Sequence, residues 1–172
     1  KEGNPLPSRT IKILNETDCG FLVSITSKSN DDAQLELNSE LKNLNLKYIS
    51  PIVQLRKKFQ LHTNIRPCFS FSGNINNLKE NIDLVIFREN TEGMYSGVEF
   101  KPVSQELYSV LKKYNKNMDH FDQFNLNDLA ISTRIMSKNR CKSIVDEAFQ
   151  YAKKNNINNV SLVDKPNVLR ET

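Results

Sequence analysis

The chain has no tryptophan, five glycines, two histidines and three cysteines in 172 residues. Cys19, Cys68 and Cys141 are far apart, odd in number and in no C-x-x-C spacing. That argues against a disulfide framework or a zinc ribbon and for a reducing compartment. His62 and His120 are isolated and read as surface or packing residues. No apolar run approaches the roughly 20 residues of a membrane span, and no signal-peptide layout opens the chain. Charge of one sign is missing too: 24 basic and 20 acidic residues leave a net +4. The short pairs Lys57-Lys58, Lys112-Lys113 and Lys153-Lys154 read as solvated helix faces. A basic binding domain would need clustered Lys/Arg interleaved with aromatics, which is not found, so no nucleic-acid partner is expected.

What is present is an ordinary core-forming share of hydrophobic residues, 38%. Asparagine is abundant, and its excess reads as a composition bias. Residues 6–18 are predicted helical with Ile11, Ile13 and Leu14 inward, followed by a strand over 19–26 (CGFLVSIT). Leu37, Leu41 and Leu44 recur at helical spacing within 31–46. Ser50-Pro51 opens the next helix, to about Leu61, because serine caps well and proline suits the first helical position. Residues 64–72 read as extended. The near-continuous apolar run 83–87 (DLVIF) predicts a strand buried on both faces, with a polar loop 88–93 at its C-terminal end. Residues 95–110 alternate weakly and suggest strands. Residues 114–128 look irregular, and 130–136 read as a strand. Residues 137–155 predict an amphipathic helix burying Ile144, Val145, Ala148, Phe149 and Ala152. A short apolar strand over 160–163 and a helix starting near Val168 close the chain. The alternation argues an α/β fold.

Three arginines sit at element ends: Arg56 in the Ser50 helix, Arg66 in Asn-Ile-Arg-Pro and Arg88 directly after DLVIF. A guanidinium presents a planar donor fork that fits carboxylate oxygens two at a time, so three together suit a small polyanion. Taken singly, each also reads as an ordinary surface or ion-pair arginine. Ser50 reads as a plain N-cap and equally as an anion contact at a helix N-terminus. Tyr95 lies between Gly93 and Gly97, two of the five glycines, in a tight backbone path. It reads as a general acid or as a core tyrosine. Lys165 follows the last apolar run and reads as a proton-transfer lysine or a solvated one.

Read together, three stretches resemble the isocitrate/isopropylmalate dehydrogenase family of metal-dependent β-decarboxylating dehydrogenases. They are SPIVQLRKKFQLHTNIRP (50–67), IDLVIFRENTEGMYSGVE (82–99) and residues 131–172, which end VSLVDKPNVLRET. Order and internal spacing agree. The resemblance implies that Arg56, Arg66 and Arg88 clamp the malate-type carboxylates and that Ser50 touches the extra carboxylate of an isocitrate-type acid. It implies that Tyr95 protonates the carbon left after decarboxylation. Lys165 would help deprotonate the substrate hydroxyl in the neighbouring subunit. Thr26 and Asn167 match positions near the nicotinamide end of the cofactor. The chain departs from the family pattern at Ile52, at His62-Thr63 and around Val23-Ser24.

The expected architecture is therefore an incomplete member of that fold. Residues 1–61 would form part of the large domain, 62–92 a first small-domain segment, 93–132 an intersubunit clasp and 133–172 a second small-domain segment. Lys1 and Thr172 read as cuts through a longer enzyme. The implied reaction is oxidation and decarboxylation of isocitrate to 2-oxoglutarate with NAD, NADP being possible, and Mg²⁺ or Mn²⁺. The metal-ligand aspartates are expected outside this chain. Homoisocitrate and 3-isopropylmalate are alternative substrates. A non-catalytic regulatory subunit or inactive fragment is the alternative of another class. The resemblance further implies a homo- or hetero-oligomer without membrane attachment. It would be cytoplasmic, or in the mitochondrial matrix in a eukaryote.

Overall fold

Serine side chains cap three of the helices. In the computed structural model, which describes residues 2–172, the side chains of Ser29, Ser104 and Ser137 accept from the N–H groups of Asp32, Leu107 and Arg140. Each satisfies a donor that the helix itself leaves open. The chain divides into two units, Lys1–Leu61 and His62–Thr172; each is described by itself.

The first unit holds four short helices: α1 Ser8–Asn15, α2 Asn30–Leu35, α3 Ser39–Lys42 and α4 Pro51–Lys58. Leu6 and Pro51 are buried. In α1 the inward pair is Ile11 and Leu14, whereas Ile13 is 59% exposed, contrary to expectation. Positions 11 and 14 share a face, and 13 lies well round the helix from both. The single helix expected over 31–46 is broken in two. Glu36 ends α2, and Asn38 starts α3. Polar residues that compete for nearby backbone groups suit such ends better than a helix interior.

The expected strand over 19–26 forms no ladder. The segment belongs to no helix or strand, and every residue is exposed, Phe21 at 96%. A strand needs a partner for its N–H and C=O groups, and none of the described residues supplies one.

Helix α4 stops sharply. Gln60 adopts φ 52°, and the Leu61 N–H donates back to the Arg56 carbonyl at 3.0 Å. This is a Schellman-type end with glutamine where glycine is usual. Gln60→Gly is expected to raise stability by about 0.5–1 kcal/mol, less whatever the Gln60 Nε2 bond to the Lys57 carbonyl contributes. A urea-unfolding midpoint checks it.

The second unit is built on a two-stranded antiparallel ribbon, β1 Thr63–Phe69 and β2 Asp83–Glu89, paired from Thr63↔Glu89 to Phe69↔Asp83. Helix α6, Lys138–Lys154, covers one ribbon face. The Phe87 and Tyr151 rings meet edge-on at 5.2 Å, and His62 Nε2 lies 2.7 Å from Glu147 Oε1. Positions 147 and 151 define the stripe that faces the ribbon. Phe149, expected inward, is on the other side and 57% exposed. The expectation that β2 is buried on both faces also fails. Leu84 and Ile86 are 44% and 45% exposed, because no described element covers the second face.

Residues 95–110, expected as strands, are mostly not. A 3₁₀ turn Met94–Ser96 leads to a two-residue strand β3, Glu99–Phe100, and then helix α5, Gln105–Tyr114. The Ser104 cap and the 107, 108, 111 spacing are helical signals. Strand β3 pairs with β4, Ile131–Ser132, which is all that forms of the strand expected over 130–136 apart from one bridge, Gly93↔Ile135. Between them two 3₁₀ segments, Lys116–Phe121 and Leu126–Asp128, begin at Asn115 and Asn125, whose side chains accept from Asn117 and Asn127 N–H. Tyr108 is buried with its hydroxyl on Asp122 Oδ1 and the Met118 carbonyl. Asparagine thus has a structural task in this excursion that composition alone hides. The strand expected over 160–163 and the helix near Val168 are absent. That stretch has no regular structure and is exposed, Val163 at 92%, and it ends in a turn from Lys165 to Leu169.

Candidate functional site

Successive side chains of a strand alternate between faces, and paired residues share one. Asn64 pairs with Arg88, and Arg66 with Ile86. Arg66 and Arg88 therefore project from the same ribbon face, the one opposite α6. Arg66 Nε donates to Asn64 Oδ1 at 2.9 Å, which orients the fork along that face. The Arg88 guanidinium carbon lies 4.9 Å from the centre of the Tyr95 ring. Such cation–π stacking is worth about 0.5–1 kcal/mol near solvent and fixes the relative placement of the two groups.

Neither Arg66 nor Arg88 forms an ion pair among the described residues. The acids next to them in sequence are engaged elsewhere. Glu89 points to the opposite ribbon face. Its carboxylate accepts from the Thr91 hydroxyl at 2.7 Å, the Thr91 N–H at 3.0 Å and the Glu92 N–H at 2.8 Å. Glu92 Oε1 and Oε2 accept from the Ser137 hydroxyl and N–H at 2.8 and 2.6 Å. The face is left cationic and open, which is what an incoming carboxylate requires.

Burial pushes the Glu89 carboxyl upward, but the hydrogen bonds from Thr91, Glu92 and Asn90 outweigh it and hold the group below its ordinary value. A depressed carboxyl adds stability above that ordinary value and loses it as pH falls through the lowered one. We expect the loop after β2 to loosen as pH drops below 4.5. Glu89→Gln should cost about 1 kcal/mol near neutrality and flatten part of the acid limb in urea-unfolding midpoints. An unchanged acid limb would remove Glu89 from that role.

In the first unit, Ser50 stands at the N-cap of α4 but makes no capping bond; its oxygen accepts instead from the Ser27 hydroxyl at 2.9 Å. The plain N-cap expectation is corrected accordingly. The same bond ties the segment carrying Thr26 to the start of α4. Arg56 lies half-buried in the last turn of that helix. Lys165 and Asn167 are exposed in the terminal turn, where the Lys165 N–H donates to Asp164 Oδ1.

Thr26 is exposed in the first unit. Among the described residues no three of His, Cys, Asp and Glu gather to hold a metal ion. No described helix is long and apolar enough to cross a membrane.

Glu89, Glu92 and Ser137 were not among the sequence-derived candidates. The signal for the first two is faint: Glu89-x-Thr91-Glu92 directly after a strand, where short-range donors lie within reach. For Ser137 only the capping role is legible.

The sequence model of the family described as isocitrate/isopropylmalate dehydrogenase matches residues 1–172. The chain is 36% identical over 172 residues to protein DlpA of Legionella pneumophila, covering 100% of this chain and 27% of that protein. It is 35% identical over 181 residues to homoisocitrate dehydrogenase of Methanocaldococcus jannaschii, covering 100% and 42%. An isocitrate dehydrogenase [NADP] of Staphylococcus epidermidis is 30% identical over 172 residues, covering 99% and 37%. The solved isocitrate dehydrogenase from Methylococcus capsulatus matches with a TM-score of 0.63 at 24% identity, over 100% of this chain and 40% of that one, a likeness of fold. The chain thus spans less than half the length of each of these relatives.

Proposed function

Because the chain belongs to the isocitrate/isopropylmalate dehydrogenase family, we propose that it carries the acid clamp and the proton donor of an enzyme that oxidises and decarboxylates a 2-hydroxy polycarboxylic acid, isocitrate first among them. The observation that carries this reading is the pair Arg66 and Arg88 on one ribbon face, with no ion pair to either among the described residues and with Tyr95 stacked on Arg88.

In this reading Arg66 and Arg88 bind the malate-type carboxylates, joined by Arg56. Ser50 contacts the further carboxylate. Charge-assisted forks hold the acid in one register, so that the reacting carbon stays within reach of Tyr95. Lys165, exposed in the terminal turn, takes the hydroxyl proton in a neighbouring subunit. The Tyr95 hydroxyl then gives its proton to the carbon that has lost CO₂ and recovers one from water. Thr26 and Asn167 hold the nicotinamide end of a dinucleotide, which when bound accepts the hydride. The native assembly is an oligomer. NAD is the preferred dinucleotide in this reading.

The test is steady-state assay of the whole protein on isocitrate, homoisocitrate and 3-isopropylmalate, each with NAD and NADP and with Mg²⁺ or Mn²⁺. Turnover of isocitrate with the highest kcat/KM is expected. No turnover of any of the three would sink the enzyme reading and leave the regulatory one.

A further inference from the structure

Tyr95 sits in the loop after β2, with its ring against Arg88. The loop is tied on two sides. The Asn90 N–H donates to the His62 carbonyl at 2.8 Å, on the β1 side. The Gly93 N–H donates to the Ile135 carbonyl at 2.7 Å, with Gly93 at φ 66°, a conformation costly for other residues.

Glu92 does more than either. Both of its carboxylate oxygens leave the loop and meet Ser137, 45 residues away. Ser137 is the N-cap of α6. In a capping box the residue three positions after the cap returns a carboxylate to the cap's N–H. That residue here is Arg140, which has no acceptor to offer. Glu92 supplies the missing half from another part of the chain, and its negative charge also suits a helix N-terminus.

The backbone of Glu92 completes the link. Its carbonyl accepts the Tyr95 N–H at 3.2 Å and so opens the 3₁₀ turn that carries Tyr95. Helix α6 packs on β2, and β2 carries Arg88. Tyr95 and Arg88 are therefore referenced to the same frame, one through the Glu92–Ser137 cap and one through the ribbon.

We propose that Glu92 is the positioning residue of Tyr95, holding the tyrosine in proton-transfer reach by completing the α6 cap from outside the helix. This rests on the reading of Tyr95 as the proton donor. It predicts that Glu92 governs the protonation step and leaves acid binding alone.

The test uses the whole protein and two readouts. One is steady-state oxidation of the acid. The other is deuterium uptake from D₂O at the carbon next to the lost carboxyl, followed in the 2-oxo product by NMR. Glu92→Ala should slow deuterium uptake by about 10²-fold, the scale of a misplacement near 1 Å, with KM for the acid held within about threefold. Glu92→Gln keeps an acceptor for one of the two Ser137 donors and should restore part of the rate. Ser137→Ala should give a smaller loss of the same kind. A merely structural role would lower uptake and acid binding sites together, in proportion to the folded fraction. If Glu92→Ala does not fold, Glu92→Gln and Ser137→Ala decide by the same ratio. A slowed rate of uptake in Tyr95→Phe with wild-type rates in the Glu92 and Ser137 variants overturns the proposal and leaves the Tyr95 reading standing. A wild-type rate of uptake in Tyr95→Phe overturns the Tyr95 reading itself.

Discussion

Lys165→Met in the whole protein is expected to lower kcat by about 10³-fold while the dissociation constant of the acid changes only a few-fold. Methionine matches much of the lysine stem but can neither carry charge nor move a proton. Lys165 is exposed and packs into no core, so the fold should not change. Calorimetric titration of the acid and initial rates separate the two effects. Unchanged turnover would remove Lys165 from the chemistry. If the lysine acts in a neighbouring subunit, mixing Lys165→Met with Tyr95→Phe subunits recovers activity, approaching about a quarter of wild type by random pairing into dimers. Failure of every mixture to recover would place both groups in one subunit.

The second large effect is at Arg88. Arg88→Lys keeps the charge but loses the planar fork and is expected to reduce kcat/KM by about 10²-fold; Arg88→Ala should cost about 10³-fold. Part of the loss should fall on kcat, because the same guanidinium lies against the Tyr95 ring. Stability should move by no more than about 1 kcal/mol. A loss confined to KM in both variants would separate Arg88 from the tyrosine.

How much of this was legible in the sequence depends on how local the cause is. Ser-Pro at 50–51 marks a helix start, and residues 137–155 mark a long amphipathic helix; both signals lie within one continuous segment of chain. The extended character of 64–72 and the apolar run 83–87 were also plain. That these two strands pair with each other, and antiparallel, was not, since pairing is a property of two distant segments. The same cause misled at 19–26 and 160–163. Apolar runs there predict strands, but without a partner ladder they form no regular structure and stay exposed. Within 95–110 a weak alternation suggests strands, although a good serine cap at Ser104 starts a helix there. In the site, Arg66, Arg88 and Tyr95 were found by motif. Their being on one face, and Glu92 reaching Ser137, came only with three-dimensional register.

The ladder of β1 and β2 has a parity. Paired positions are both even or both odd, so the even-numbered residues, Arg66 and Arg88 among them, share a face, and the odd-numbered ones, Phe87 and Glu89 among them, share the other. Insertions in the connection 70–82 leave that parity untouched, whatever their length, and the exposed Ile75 and Leu78 there mark a stretch open to change. Loss of one residue between Val85 and Phe87 would do the opposite. It would turn Arg88 to the helix side and Arg66 alone would remain on the open face. The ribbon therefore divides its own sequence into a part free to drift in length and a part in which counting is everything.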